Sequence, residues 1–153
     1  MIAEDYVSFN TSKLLKEKGF DGECRAYYVK SKECGIKLFH AKEPYNYNNN
    51  VHPCTSAPTL QMAMKWIQEV HNIIIVADYE YECTDTSWYF KVYRLGENGK
   101  PERVAVKGVS YDKDNNPTEH VVGYRDYERS YEDYATREEA EDEGIRYVLE
   151  NYI

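Results

Sequence analysis

The segment from 56 to 71 most limits what this chain can fold into, because it reads as one amphipathic helix directly before two strands. Ser56 is a candidate N-cap, and Pro58 is tolerated in a first helical turn. Apolar residues then recur at steps of three and four, which places them on one helix face. They are Leu60, Ala63, Met64, Ile67, Val70 and His71. Trp66 lies beside this stripe and is expected to pack at its margin.

Two strand patterns follow this helix and are expected to cover its apolar face. Residues 73–76 form an unbroken apolar run, as in a strand that is covered on both faces. In residues 88–93, the apolar side chains of Trp88, Phe90 and Val92 alternate with those of Tyr89, Lys91 and Tyr93. This alternation is typical of a strand that is covered on one face. The sequence CTDTS lies between them and favours a turn. The two patterns therefore predict an antiparallel hairpin.

The chain before this unit predicts a shorter helix and a first hairpin. The sequence TSKLLKEK favours a helix with an N-cap among residues 10–12, ended by Gly19 in a left-handed conformation. Residues 23–29 and 35–41 read as two strands joined by the turn KSKECG. Segment 42–57 contains an Asn run and two prolines, and a third proline, Pro58, follows it, so the segment is predicted to be irregular. Loops of this length are typically functional or mobile.

Turn sequences and a helix cap organise the second half. The turns GENGKP at 96–101 and YDKDNNP at 111–117 make RVAVKGVSY and TEHVVGY a third antiparallel pair. Thr136 and Glu139 form a capping box at the start of the closing helix. Gly144 inside that helix costs about 1 kcal/mol relative to Ala, which indicates close packing there. The predicted inner face consists of Ala140, Gly144, Tyr147, Val148 and Tyr152.

Together these elements predict one α+β domain over residues 1–153. The length fits a single hydrophobic core. We expect an antiparallel meander sheet of about six strands, with two main helices near 57–71 and 137–151 packed on one face.

The net charge of the chain limits the classes of partner that it is expected to bind. There are 19 Lys and Arg against 27 Asp and Glu, a net charge of −8, which disfavours nucleic acid and acidic substrates. The acidity belongs to the second half and is concentrated in residues 126–143. This run is either a solvated helix face or a surface that docks on a basic partner or imitates a nucleic-acid backbone. The sign of the charge does not distinguish a solvated helix face from a binding surface.

The sequence predicts a cytoplasmic protein without a membrane segment. MIAEDYVSFN lacks the basic and apolar regions of a signal peptide, and no stretch approaches the roughly 18 apolar residues of a membrane helix. The cysteines are too sparse and irregular for a small disulfide scaffold, so reduced thiols are expected. They are Cys24, Cys34, Cys54 and Cys83.

The chain contains residues that can bind metals or act in catalysis, but they do not form a specific motif. His52 and Cys54 are one residue apart, and Cys24 and Cys34 could approach across the first hairpin. Zinc modules use paired ligands on a tight knuckle, which this chain lacks, so no metal and no cofactor are predicted. A cysteine hydrolase would need Cys54 and a histidine base brought together by the fold. No glycine run or strained elbow accompanies Cys54, so no catalytic residue is predicted.

Tyrosines supply the sharper binding hypothesis. Four of them fall at steps of three and four, which on a helix makes one aromatic stripe with two arginines beside it. The predicted binding residues are Tyr124, Tyr127, Tyr131, Tyr134, Arg125 and Arg129. Tyr and Arg are common at binding hot spots, although the rings could instead pack over a sheet edge. A weaker basic and aromatic pattern, RAYYVKSK, would suit single-stranded nucleic acid only in a groove of positive potential.

Three of these segments also carry a resemblance. APTLQMAMKWIQEVHNIIIVADYEYE, WYFKVYRL and YATREEAEDEGIRYVLENYI resemble a type of short protein of unknown function found in phages and prophages of gut Bacteroidales. The likeness covers about half the chain, and its motifs are structural. It implies a mobile-element origin, and it supplies no activity or ligand. The Asn-rich stretch 44–50 and the turn 111–117 have no counterpart in this type.

The sequence thus favours a non-enzymatic accessory protein of phage or prophage origin that binds a protein partner through a Tyr-rich, acidic surface. The alternative is a small-ligand or nucleotide binder with a pocket between segment 42–57 and the sheet, where Tyr rings stack on the ligand. An enzyme that uses Cys54 or His71 is the third hypothesis. The sequence leaves the oligomeric state open.

Overall fold

A computed structural model describes residues 4–49, 53–81, 86–104, 106–111, 114, 117–121 and 134–153. The helices are α1 (Phe9–Glu17), α2 (Leu60–His71) and α3 (Arg137–Asn151), and Tyr47–Asn49 form one 3₁₀ turn. The strands are β1 (Cys24–Ser31), β2 (Gly35–Tyr45), β3 (Cys54–Ser56), β4 (Ile73–Tyr81), β5 (Thr86–Leu95), β6 (Pro101–Val104), β7 (Lys107–Tyr111) and β8 (Pro117–Val121). All paired strands are antiparallel, so the predicted α+β class is confirmed.

The strands form more than one sheet. Two three-stranded sheets have the orders β2-β1-β3 and β4-β5-β6, and β7 pairs with β8. The backbone contacts divide the chain into two compact units, residues 1–70 with 145–153 (unit 1) and residues 71–144 (unit 2). The boundaries fall inside α2 and inside α3. The single domain stays a prediction.

In unit 1, α1 begins earlier than the sequence suggested and ends as expected. Ser8, in an extended conformation, accepts the N–H of Thr11 at 3.3 Å and is the N-cap. The predicted cap among residues 10–12 is wrong because these residues already lie inside the helix. Gly19 has φ +89°, and Phe20 N–H reaches the Leu15 carbonyl at 2.9 Å, which completes a Schellman motif.

Segment 42–57 is more regular than predicted. β2 continues to Tyr45, and β3 pairs with β1. The Asn48 side chain accounts for this order, because its Nδ2 donates to the Phe20 carbonyl at 2.9 Å and its Oδ1 accepts Ser56 N–H at 3.0 Å. The amide satisfies backbone groups as a neighbouring strand would. The expectation of a fully irregular segment is therefore wrong for its described residues.

The predicted central helix forms, with a different cap. Thr59, rather than Ser56, accepts the N–H of Met62 at 3.2 Å, because Ser56 belongs to β3. The buried face of α2 is Leu60, Ala63 and Ile67, whereas Val70 is exposed, contrary to the predicted stripe. Trp66 is half-buried and packs edge-on against Phe20, with ring centroids 5.5 Å apart.

In unit 2, β4 and β5 form the predicted hairpin over nine residue pairs from Ile73–Arg94 to Tyr81–Thr86. One face of β4 is buried at Ile73 and Ile75, but Val76 is 39 % exposed. The prediction that residues 73–76 are covered on both faces is therefore wrong.

The start of α3 and its glycine behave as predicted. Thr136 Oγ1 accepts Glu139 N–H at 3.2 Å, and Glu139 Oε2 accepts Ala135 N–H at 3.1 Å. A Cβ added at Gly144 would lie 2.7 Å from Ile75 Cγ2 and 3.1 Å from Phe90 Cγ. Glycine is needed here because α3 lies this close to the β4–β5 hairpin.

Candidate binding surface on the first hairpin

Four aromatic rings lie together on the outer face of the sheet in unit 1. Tyr27 is central, with Tyr47 at 4.3 Å and 22° between ring planes on one side, and Phe39 at 5.7 Å and 20° on the other. Tyr45 meets Tyr47 edge-on at 5.4 Å. Three near-parallel rings thus stand in a row, with a fourth closing one end. We call these four residues the ring stack.

Strand alternation explains why these rings point outward. Ala26 is fully buried, and Tyr28 donates its hydroxyl to the Val7 carbonyl at 2.8 Å, so both belong to the inner face of β1. Tyr27 lies between them and points to the opposite face. The register pairs Tyr27 directly with Phe39, which brings their rings side by side.

The 3₁₀ turn positions the third ring. Tyr47 N–H donates to Ser56 Oγ at 3.0 Å, and Asn48 N–H donates to Asn46 Oδ1 at 3.0 Å. Partial burial raises the pKa of the Tyr47 hydroxyl. Side-chain hydrogen bonds therefore fix the backbone that holds Tyr47 against Tyr27.

The ring stack remains accessible. Phe39 is 43 % exposed and Tyr45 is 49 % exposed. Among the described residues, the hydroxyls of Tyr27, Tyr45 and Tyr47 make no hydrogen bond to another protein group. The rings order one another while their hydroxyls stay available to a binding partner.

The hairpin under the ring stack is basic. Residues 24–45 contain five Lys and Arg against two acids, a net charge of +3, although the whole chain carries −8. The cations are Arg25, Lys30, Lys32, Lys37 and Lys42. This surface is therefore aromatic and locally positive.

Most of the predicted Tyr stripe lies outside the described residues: Tyr124, Arg125, Tyr127, Arg129 and Tyr131. Tyr134 is described, and it forms a two-residue antiparallel bridge with Trp88, with N–H to carbonyl distances of 2.8 and 2.9 Å. Its ring stacks on Phe90 at 6.2 Å. At Tyr134 the aromatic side chain packs beside β5, as the alternative to a binding stripe supposed.

The cysteines do not assemble a reactive site in the described part of the chain. Cys24 is buried at the start of β1, where burial raises its pKa to about 11, and Cys34 is exposed in the turn at the other end of the hairpin. Cys54 lies in β3, where its carbonyl accepts Lys16 Nζ at 3.0 Å, so it does not precede a helix N-terminus directly. Within the described ranges, no three His, Cys, Asp or Glu side chains converge as metal ligands do.

A cavity of about 250 Å³ lies beside segment 42–57, where the alternative hypothesis expected a pocket. Tyr6 lies in its wall and donates its hydroxyl to Glu4 at 2.5 Å, which raises the pKa of Tyr6 to about 12. Its lining is Glu4, Tyr6, Glu23, Arg25, Pro44, Ala57, Thr59 and Met62. The lining combines acidic and basic side chains with apolar ones.

No protein-family model matches the chain, and neither the curated proteins nor the solved structures contain a significant match. None of the helices in the described ranges combines the length and apolar composition needed to cross a membrane.

Sequence reasoning included Tyr27 only within a weak nucleic-acid pattern and missed Phe39, Tyr45 and Tyr47. The hairpin register carried the missing signal. Counting outward from the turn, Ser31 pairs with Gly35, which sets Tyr27 opposite Phe39. The positions of Tyr45 and Tyr47 depend on the hydrogen bonds of the Asn48 side chain, which no spacing pattern in the sequence reveals.

Proposed function

We propose that this chain is a non-enzymatic accessory protein that binds a protein partner through the ring stack. The observation that supports this is the stacked arrangement of Phe39, Tyr27 and Tyr47 on an exposed sheet face. Aromatic side chains held in place before binding give a large contact area and lose little conformational entropy. The hydroxyls of Tyr27, Tyr45 and Tyr47, which bond to no described protein group, add polar specificity at the same surface.

The test is capture of a partner from a lysate by wild type and by Phe39→Ser. We expect the variant to lose the captured protein, because it removes the outermost ring of the stack. Its melting temperature should fall by no more than about 3 °C, since a half-exposed aromatic contact contributes only about 1 kcal/mol to stability.

Tyr79→Ser is the matched control. The exposed fraction of Tyr79, 46 %, is similar to the 43 % of Phe39. Among the described rings of unit 2, Tyr79 contacts Trp88, with ring centroids 5.1 Å apart. The control should bind as wild type does. Equal loss of capture by both variants would contradict a specific role for the ring stack, and retention by Phe39→Ser would exclude it.

The proposal extends to origin and location. We propose a phage or prophage accessory protein, an origin supported by the resemblance of the 57–82, 88–95 and 134–153 segments, and we propose that it acts in the cytoplasm. The stripe containing Tyr127 and Tyr131 is proposed as a second, acidic contact. Tyr127→Ala should weaken capture without changing the melting temperature; a clear loss of stability would assign this ring to the core instead.

The second candidate function is small-ligand binding in the cavity beside segment 42–57. Its position favours it, but its volume of about 250 Å³ lies below the roughly 300–1,000 Å³ of most ligand sites, which disfavours a nucleotide. A nucleotide that raised the melting temperature of wild type but not of Arg25→Gln would support this function. Unchanged curves across a nucleotide library would remove it.

A further inference from the structure

Within the described residues, β2 has a paired strand on one edge only, so its outer edge is open. β2 is the first strand of the sheet β2-β1-β3, and β1 is its one neighbour in the described chain. No described hydrogen bond joins a backbone group of Gly35–Tyr45 to anything outside that ladder. Nearly every residue of β2 is exposed. A row of open N–H and C=O groups is a template for another extended chain.

Part of this edge is protected against such pairing. Ala41–Pro44 form a bulge opposite the single β1 residue Arg25, and Pro44 has no N–H to donate. Gly35–His40, by contrast, pair with β1 in unbroken register. The open segment is therefore six residues long, about 20 Å at a strand rise of 3.3 Å per residue.

The open segment carries exposed apolar side chains beside its one lysine, Lys37. Ile36 is 47 % exposed and Phe39 is 43 % exposed, and they lie on opposite faces of the strand. Phe39 belongs to the ring stack, so a strand added here would lay alternate side chains beside the rings. These features are those of an acceptor for a peptide strand.

The charge of the hairpin identifies the kind of strand that fits. Resting on the proposed function, we propose that the partner contributes an extended, acidic segment that adds to Gly35–His40 as a further strand. On the face of β2 that carries Lys37 and Phe39, its carboxylates would lie beside the Lys37 ammonium, and on the opposite face its apolar side chains would lie beside Ile36. Opposite charges on neighbouring strands stabilise such a pair.

The probe is a fluorescein-labelled peptide of alternating valine and glutamate, about eight residues long, which covers the 20 Å edge. Its binding to the full chain is followed by fluorescence anisotropy. Two further versions carry N-methyl groups on alternate residues, on the valines or on the glutamates. In an added strand only alternate N–H groups face the neighbour, so one version should bind as the parent does and the other at least about tenfold more weakly.

Protein variants test the charge. Lys37→Glu should weaken peptide binding about tenfold, because a favourable cross-strand pair becomes a repulsive one. Lys65→Glu, an exposed change of the same charge on α2, should bind as wild type does. A valine and lysine peptide should bind at least about tenfold more weakly than the parent.

Equal binding of the two methylated versions would overturn the proposal, as would no binding of the parent peptide up to about 1 mM. A dimer that forms with rising concentration and is lost in Lys37→Glu would assign the edge to a second copy of the chain and also overturn it. Displacement of the peptide by oligothymidylate would reassign the surface to single-stranded nucleic acid. In any of these cases, loss of lysate capture by Phe39→Ser with retention by Tyr79→Ser would leave the proposed function standing.

Discussion

The two units expose aromatic side chains on their sheets in different ways. On β4 and β5 of unit 2, Asp78 accepts hydrogen bonds from Tyr89 at 3.2 Å, from Lys91 at 3.1 Å and from Tyr79 N–H at 2.9 Å. In unit 1, the ring of Tyr27 contacts those of Phe39 and Tyr47, and no carboxylate among the described residues bonds to these side chains. Tyr89, the tyrosine whose hydroxyl bonds to Asp78, is buried at 9 % exposure and serves the fold, whereas the ring-stack tyrosines, whose hydroxyls bond to no described group, are available for recognition.

The units also differ in charge. Unit 1 carries ten Lys and Arg against nine Asp and Glu, whereas unit 2 carries nine against eighteen. The uneven charge of the sequence therefore follows the structural division of the chain. A partner with acidic groups is favoured only by unit 1.

The largest expected effect tests whether the two units are separate in stability. Leu15→Ala in unit 1 and Ile73→Ala in unit 2 each truncate a buried side chain and should each cost about 2–5 kcal/mol of unfolding free energy. If the chain is one cooperative domain, hydrogen exchange will lose protection in both units with either variant. Loss of protection confined to the altered unit would contradict the single-domain prediction and would show that the two units are separate domains.

The next effect concerns close packing in unit 2. Gly144→Ala gains about 1 kcal/mol of helix propensity but places a Cβ 2.7 Å from Ile75 Cγ2, and overpacking costs about 1–3 kcal/mol. We expect a net loss of stability of about 1 kcal/mol in denaturant unfolding. Glu150→Ala, at an exposed position in the last turn of α3, should be neutral or slightly stabilising, because an acid there opposes the helix dipole. Stabilisation by Gly144→Ala would show that β4 and β5 yield more easily than this geometry implies.

Removal of a helix N-cap should lower the free energy of unfolding by a similar amount in the two units. Ser8→Ala removes the cap of α1, and Thr136→Ala removes the cap of α3, each at a cost of about 1 kcal/mol. Thr136→Ser keeps the oxygen and should retain most of the stability. Urea titrations measure all three variants. Unequal losses at the two caps would show that one helix depends mainly on packing.

The smallest expected effect concerns the contribution of the Asp78 carboxylate, on the surface of unit 2, to stability. The backbone N–H of Tyr79, followed by the Lys91 ammonium, lowers the pKa of Asp78. A lowered pKa contributes stability above the unfolded value near 3.9, and this contribution is lost as the pH falls through the folded pKa.

Asp78→Asn should therefore cost less than about 1 kcal/mol at pH 7, because the carboxylate is half exposed, and its difference from wild type should shrink in acid. Asp21→Asn removes one negative charge at an exposed position of unit 1 and is the control for the change in net charge. A difference from wild type that stays constant for Asp78→Asn down to pH 2 would contradict the assignment.

Local patterns predicted the elements well. The α+β class, the β4–β5 hairpin, α3 with its capping box and the close approach at Gly144 follow from periodicity, turn residues and cap chemistry. The division into two three-stranded sheets does not, because it depends on which edges pair after the chain collapses. β3 was missed for the same reason: three residues have too little pattern, and the Asn48 amide rather than a strand sequence holds them.

The candidate surface was less predictable. Local spacing drew attention to the stripe from Tyr124 to Tyr134, whereas the ring stack joins residues up to 20 positions apart in sequence. Such a surface is visible only when the register of the hairpin and the position of the 3₁₀ turn are both known.

The packing of Trp66 against Phe20 has a practical consequence. The chain contains two tryptophans, and the other, Trp88, contacts Tyr79 in unit 2. Each unit therefore carries its own intrinsic fluorophore. A Trp88→Phe variant would let emission report on unit 1 alone, and a Trp66→Phe variant on unit 2 alone, without any attached dye.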